Sequence, residues 1–552
     1  MPKAFVVRGA TVVDGTGVDP FSADVLVDDR GRIAAVGSGI DRQGIDVVDG
    51  SGRCLAPGFI DLHSHSDLYS VVRDGEGAPI GDVPKLLQGC TAQVFGQDGI
   101  SAAPFHDHDL DDHAAFLAGL DGTIPKDRWT WRSFADYVTA LRSISATRTA
   151  ALVGHATVRR YVMGMDAREA NADDIEGMQA VLRDAFDQGA RGFSSGLVYV
   201  PAVYSTTAEV EALCRVVAER GLPFFVHVRS ESDLVEQATD EVLEVAARTG
   251  CHLHYSHIKC AGRSNWHKAA SLLRKIDAAR GEGVRVTADV HPYTAGATTA
   301  NVLLPPWLLD GGWEAALRRL HDPAVRERAR NQLINDTTSW DNWWAFSDGW
   351  RGLKIAGARR SSLVGRYFSE IIETEGFADP NAQAAFDFVF DLLVEERLGM
   401  SLVSFNNIES NVATFMSQPY CSIGTDGVVN PNGHPHPRLY GTFPRVLGRF
   451  VRELGVVSLA EAVRKMTTQA AAIVGWSDRL AAIRPGLPAD LALFDPETVA
   501  DQATYQSPRQ PPIGIDAVWV GGRVLARANR IVSDAVAGEP HEMVTTPGGT
   551  NQ

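Results

Sequence analysis

The sequence predicts an α/β protein with a smaller all-β unit assembled from its two ends. Two patterns and one short motif predict it. Between about residues 57 and 424, apolar strand-like runs alternate with amphipathic helical ones, the order of a parallel α/β sheet. At both ends, short period-two runs punctuated by Gly and Asp mark antiparallel strands. The motif Pro57-Gly58-Phe59-Ile60-Asp61-Leu62-His63-Ser64-His65 opens the central region with an apolar run that closes on two histidines.

The end segments need each other. Residues 1–56 offer Phe5-Val6-Val7, Ala10-Thr11-Val12-Val13, Asp24-Val25-Leu26-Val27 and Ile33-Ala34-Ala35-Val36. Residues 481–540 offer Ala489-Asp490-Leu491-Ala492-Leu493-Phe494 and Ala517-Val518-Trp519-Val520. Neither set alone can bury a face, so together they predict one small β-sandwich built from both termini. Residues 541–552 read as a polar tail. In the central region, 57–480, strands are expected near 57–63, 90–96, 148–154, 190–195, 223–227, 252–257, 284–290 and 419–424, with helices at 173–188 and 209–221 between some of them. An insertion near 297–360, with Trp340, Trp343, Trp344 and Trp350, reads as a helical excursion packing its own aromatics and serving as a lid.

Composition narrows the function classes. A chain of 552 residues is too long for one ordinary core, and 45% hydrophobic content suits an enzyme-sized globule. A net charge of -16 supplies no basic field for nucleic acid. No stretch reaches the roughly 18 apolar residues of a membrane span. The six scattered cysteines contain no C-x-x-C pair and read as reduced thiols, and the N-terminus lacks a signal-peptide pattern, so a cytoplasmic location is expected.

The chemistry lies at strand ends. Residues i and i+2 on a strand share a face, so His63 and His65 can aim two imidazoles at one point, and imidazole is a good zinc ligand. Other apolar runs end similarly: Phe224-Phe225-Val226-His227, His252-Leu253-His254-Tyr255-Ser256-His257 and Cys421-Ser422-Ile423-Gly424-Thr425-Asp426. One such histidine is commonly a core group; four histidines and an aspartate in this order suggest a metal centre. His106-Asp107-His108-Asp109 sits in a polar loop with nothing to fix it and is set aside. His155, at the end of the third run, is expected to support the site rather than to ligate.

The Pro57–His65 motif resembles the first barrel strand of the amidohydrolase superfamily, metal-dependent hydrolases on a (β/α)8 TIM-type barrel. That resemblance guides the count of eight strands, implies the split β domain, and places the strand-end residues on one face. Many amidohydrolases bridge two metals with a carboxylated lysine, but no Lys lies on predicted strands three or four, and Asp98 in Gly96-Gln97-Asp98-Gly99 is the bridging candidate. The segments Gly96–Pro104, Gly192–Tyr199, His227–Glu231, Ser256–Lys259, Asp289–Gly296 and His436–Arg445 resemble the D-aminoacylase family, the N-acyl-D-amino-acid deacylases. That implies His63, His65, Asp98, His227, His257 and Asp426 as ligands to one or two Zn2+ or another divalent metal, with Asp426 also the catalytic acid–base. It implies Lys259, Tyr293 and Arg438 on the substrate carboxylate, and Tyr199 on the scissile carbonyl. Two positions depart from the family: Asp98, where a bridging Cys is usual, and His291, where Tyr is usual. The expected substrate is a small N-acyl amino acid, with the oligomeric state open. The alternatives are a cyclic-amide hydrolase of the dihydropyrimidinase or hydantoinase kind, and a catalytically inactive assembly subunit.

Overall fold

The computed structural model describes residues 2–40 and 44–532; the expected tail at 541–552 and the last residues of the C-terminal β segment lie outside the described residues. Three parallel strands, Phe59–Asp61, Cys90–Phe95 and Arg148–Ala151, pair in chain order. Six more follow in one parallel sheet: Val153–Gly154, Phe193–Gly196, Pro223–His227, His252–Tyr255, Val286–Val290 and Cys421–Ile423. The two ladders meet at Leu152. Its N–H bonds to Phe95 O at 2.9 Å, while the next N–H, of Val153, bonds to Gly192 O at 3.1 Å. One chain segment therefore serves as the third strand to both neighbours, and each of the eight expected strands has its counterpart. Past the eighth strand, Gly427–Val428 pairs in parallel with Ser64–His65, just past the first. Asp426 N–H also bonds to His63 O at 2.7 Å.

These strands are buried along their length, the polar residues among them included. Every residue of Cys90–Phe95 and Pro223–His227 is buried, as expected of parallel strands covered on both faces. Helices Ala172–Asp187 and Thr207–Glu219 match the two expected ones to within about a turn's fraction. Asn171 caps the first in a reciprocal box with Asp174, and Thr206 caps the second by accepting from Glu209 N–H.

The termini combine in one nine-stranded sheet. Its main order is Arg530–Ile531, Arg523–Arg527, Ile515–Val520, Leu491–Phe494, Cys54–Pro57, Phe5–Val12, Phe21–Val27 and Ile33–Gly37. One expectation is corrected: the pairing is not wholly antiparallel. Asp46–Asp49 and Cys54–Pro57 both run parallel to Phe5–Val12, because the chain crosses back rather than turning in hairpins. Phe5 stacks on Trp519 at 5.5 Å, joining the two chain ends in one core. Asp490 ties this sheet to the central one through a buried ion pair with Arg148, whose Nη2 donates to Oδ1 at 3.0 Å.

The excursion after the seventh strand is longer and less helical than expected. It continues well past residue 360 and includes an antiparallel sheet of Ala295–Thr299, Ser401–Phe405 and Leu353–Gly357. Its aromatics do pack on one another: Trp350 lies 5.0 Å from Phe386 and 6.1 Å from Trp344.

Candidate metal centre

The residues singled out at the strand ends come together on the same edge of the parallel sheet. Asp98 is the hub. Its Oδ1 lies 3.3 Å from His257 Nε2 and 3.5 Å from His63 Nε2; its Oδ2 lies 3.5 Å from His65 Nε2 and 3.8 Å from His227 Nδ1. Asp426 Oδ1 stands 3.5 Å from His65 Nε2 and 3.9 Å from His63 Nε2. All six side chains are buried.

Close backbone approach makes this possible. A Cβ on Gly196 would sit 2.2 Å from Asp98 O, and one on Gly424 would sit 2.6 Å from His63 Cβ. Asp98, His257 and Asp426 also hold left-handed backbone angles, with φ of 55°, 34° and 50°. Each such residue costs about 1–3 kcal/mol. Three residues of one cluster in that region mean that the fold holds them against local preference.

The donor set fits a divalent cation. Both ring nitrogens of His63, His65 and His227 are buried without a hydrogen-bond partner among the described residues. Most of their distances to Asp98 are too long for good hydrogen bonds. Buried imidazoles facing carboxylate oxygens, otherwise unmet, are the ligand types zinc takes. Two overlapping sets share Asp98: His63, His65, Asp98 and Asp426, and Asp98, His227 and His257. Burial opposes ionisation of Asp98, but the nearby charges of His257 and His63 and the approach of the His227 and His257 rings outweigh it and hold its carboxyl well below the usual range. Asp426 is held low as well: burial raises it, and Arg438, His65 and His63 more than compensate.

A second ring of groups orients the first. His63 Nδ1 faces Asp289 Oδ2 at 3.6 Å, His65 Nδ1 faces Asp121 Oδ1 at 3.4 Å, and His257 Nδ1 faces Glu231 Oε1 at 3.0 Å. Carboxylates in this position fix imidazole orientation. Sequence reasoning gave Asp121, Glu231 and Asp289 no role. Glu231 could have been found, since it lies four residues after His227; Asp121 sits in a loop that no pattern distinguishes.

The chain matches the Amidohydrolase family over residues 46–526. This chain belongs to the amidohydrolase family. It is 35% identical to the N-acyl-D-glutamate deacylase of Alcaligenes xylosoxydans xylosoxydans over 522 residues, covering 94% of this chain and 92% of that one. It is 32% identical to the D-aminoacylase of the same organism, covering 94% of each. Among solved structures, it resembles the N-acyl-D-glutamate deacylase of Bordetella bronchiseptica, complexed with zinc and a phosphonate mimic of the tetrahedral intermediate. There the TM-score is 0.78 at 32% identity, over 96% of this chain and 98% of that chain.

In this amidohydrolase the expected substrate residues stand in different situations. Arg438 is fully buried, with Nη1 2.8 Å from Asp426 Oδ2. Lys259 Nζ donates to Glu231 Oε1 at 2.6 Å and lies 2.8 Å from His257 Nδ1. Tyr199 packs against His227, its hydroxyl 3.0 Å from Thr298 Oγ1. Tyr293 donates its hydroxyl to Asp501 at 3.0 Å and lies under Arg445. His155 does not reach the cluster's hub; it bonds Ser195 and Glu209 at 2.9 Å each. A cavity of about 670 Å³ opens between Tyr69, Phe116 and Val428 and the excursion's Trp313, Arg359 and Arg397.

Proposed function

We propose that this protein hydrolyses the amide bond of N-acyl-D-amino acids, giving a carboxylate and a free D-amino acid. The observation that carries the reading is the convergence of four histidines on Asp98, with Asp426 and Arg438 beside them. The cofactor is a divalent metal, zinc by its donor set, one or two per chain. His63, His65, Asp98 and Asp426 would hold one position, and His227, His257 and Asp98 the other. When bound, the metal lowers the pKa of water towards roughly 7 and polarises the carbonyl.

The protein's own groups do the rest. Asp426 begins as a carboxylate, so it takes the proton of the attacking water and passes it to the leaving nitrogen. Without that transfer the nitrogen would depart as a strongly basic anion. Tyr199 donates to the carbonyl oxygen as charge develops. Arg438 and Lys259 supply cations for the substrate carboxylate, with Tyr293 at the edge of that group. A cyclic amide carries no free carboxylate and would leave the Arg438 donors unmet, which favours the linear substrate. An inactive assembly subunit would have no use for an intact donor set.

The same reading takes residues 57–480 as a closed (β/α)8 barrel with its excursion, and the two ends as a sandwich-like domain. The pairing of Gly427–Val428 with Ser64–His65 supports the closure. Six buried, unpaired cysteines support a reducing, cytoplasmic setting. No helix among the described residues is long and apolar enough to cross a membrane.

The test is release of free amino acid from N-acetyl-D- and N-acetyl-L-forms of Met, Leu, Glu and Asp, with metal content measured on the same sample. D-only release with one or two metals per chain is expected. Release from hydantoins and not from acyl amino acids would overturn the substrate, and a metal-free, inactive protein would overturn the enzyme.

A further inference from the structure

His291 follows the seventh parallel strand, Val286–Val290, and is 2% exposed. Neither of its ring nitrogens has a hydrogen-bond partner among the described residues. It is not packed as an ordinary core histidine. Its Nε2 lies 3.9 Å from Asp426 Oδ2, the oxygen that Arg438 Nη1 approaches to 2.8 Å, and its ring meets the edge of His436 at 6.2 Å. The charges acting most strongly on the ring are those of Arg438, Asp426, Lys259 and His257.

Arg438 shares the same condition. Its Nε and Nη1 are buried without an aligned hydrogen-bond acceptor, although Nη1 is close to Asp426. Unmet buried donors are costly, and native structures keep few of them without a reason. Here they belong to two residues gathered on the same oxygen of Asp426, the one turned away from His63 and His65. A planar group with two acceptor oxygens would satisfy both residues together, and a carboxylate is such a group.

We propose that His291 is a substrate-binding residue, donating a ring N–H to the α-carboxylate of the N-acyl amino acid alongside Arg438. This rests on the amide-hydrolase reading above. It gives this chain a carboxylate contact that no composition or spacing argument assigned. Because Asp426 Oδ2 borders the same space, the contact would also set the leaving nitrogen beside its proton donor.

The test compares an N-acetyl-D-amino acid that the enzyme turns over with its α-carboxamide, for wild type, His291→Phe and His291→Gln. The wild type prefers the carboxylate. His291→Phe is expected to reduce that preference roughly 10- to 100-fold, mainly through KM, the size of one lost hydrogen bond to a charged group. His291→Gln, which keeps a donor, is expected to restore part of it. Calorimetric binding of the free D-amino acid should weaken in the same order. An equal loss on both substrates would make His291 a packing or Asp426-orienting residue and overturn the proposal, as would an unchanged preference. If His291→Phe fails to fold, His291→Leu, which likewise lacks a donor, carries the same comparison against His291→Gln. A wild type that cleaves neither substrate overturns the function itself, a result distinct from any change in preference.

Discussion

Two buried polar clusters are built around histidines and carboxylates, one at the ends of the third and fourth parallel strands and the other at the ends of the first, second, fifth, sixth and eighth. In one, His155 is bonded on both sides, by Ser195 Oγ and Glu209 Oε1, and Glu209 is further paired with Arg159. In the other, His63, His65 and His227 face Asp98 with no ring nitrogen hydrogen-bonded. All of these side chains are buried. The difference is satisfaction. The first cluster is closed apart from Arg159 Nε, and it locks helices His155–Met163 and Thr207–Glu219 to the fourth strand. The second is open, and its unmet donors show where a ligand belongs. Composition cannot separate a structural histidine from a ligating one; the count of partners can.

The open cluster should give the largest effect. Asp426→Asn keeps the shape and removes the proposed base. We expect kcat to fall about 10²- to 10⁴-fold, with the thermal midpoint near wild type. An Asn variant with normal turnover would remove Asp426 from the mechanism. The closed cluster should behave in the opposite sense. Glu209→Ala leaves the Arg159 charge and the His155 ring buried without their partner, which costs about 3–5 kcal/mol of stability. Metal per chain and KM of the folded fraction should hold. A variant that lost metal at unchanged stability would show that the two clusters are one.

Between these extremes lies Glu231, which touches the open cluster without facing Asp98. It accepts from Lys259 and faces His257 Nδ1. Burial pushes its carboxyl up, but His227, Lys259 and His257 together pull it far below the usual range, so it stays charged throughout the working pH. Glu231→Gln should weaken metal affinity about 10- to 100-fold, read by competition with a chelator, with little change in thermal midpoint. Unchanged affinity would mean that His257 is oriented by its strained backbone alone.

The sequence made the parallel strands and the members of the buried His/Asp cluster legible for a physical reason. Strands buried on both faces are predominantly apolar, so a histidine or aspartate at the end of such a run stands out. His63, His227, His257 and Asp426 were found that way. Asp98 was singled out because the family resemblance implies a shared anion and no Lys lies on the third or fourth expected strand. The supporting carboxylates were not legible: Asp121 and Asp289 matter only through the ring they meet, and that meeting depends on how distant segments pack. Nor could spacing show that Tyr293 would be engaged with Asp501, 208 residues away. The extent of the excursion was hidden for a similar reason, since its three-stranded sheet draws on Ala295–Thr299, Leu353–Gly357 and Ser401–Phe405, short runs that look alike in isolation.

The smallest effect concerns acid, and it tests whether the closed cluster is held by charge. Burial raises the Glu209 carboxyl, but His155 and Arg159 overcome this and leave it below its ordinary value. A depressed carboxyl binds its proton more weakly in the folded protein than in the unfolded chain. Its contribution is therefore complete above the unfolded value of about 4.3 and is lost as pH falls through the lower folded value. Glu209→Gln removes that titration and retains a hydrogen-bonding side chain of the same size. The stability difference between wild type and this variant, from urea midpoints, should be constant above about pH 5 and shrink in more acid solution. Other depressed carboxyls, such as Asp289 and Glu231, titrate in both proteins and cancel in the difference. A difference that stays constant down to about pH 3 would mean that shape and hydrogen bonding, without the charge of Glu209, hold the closed cluster together.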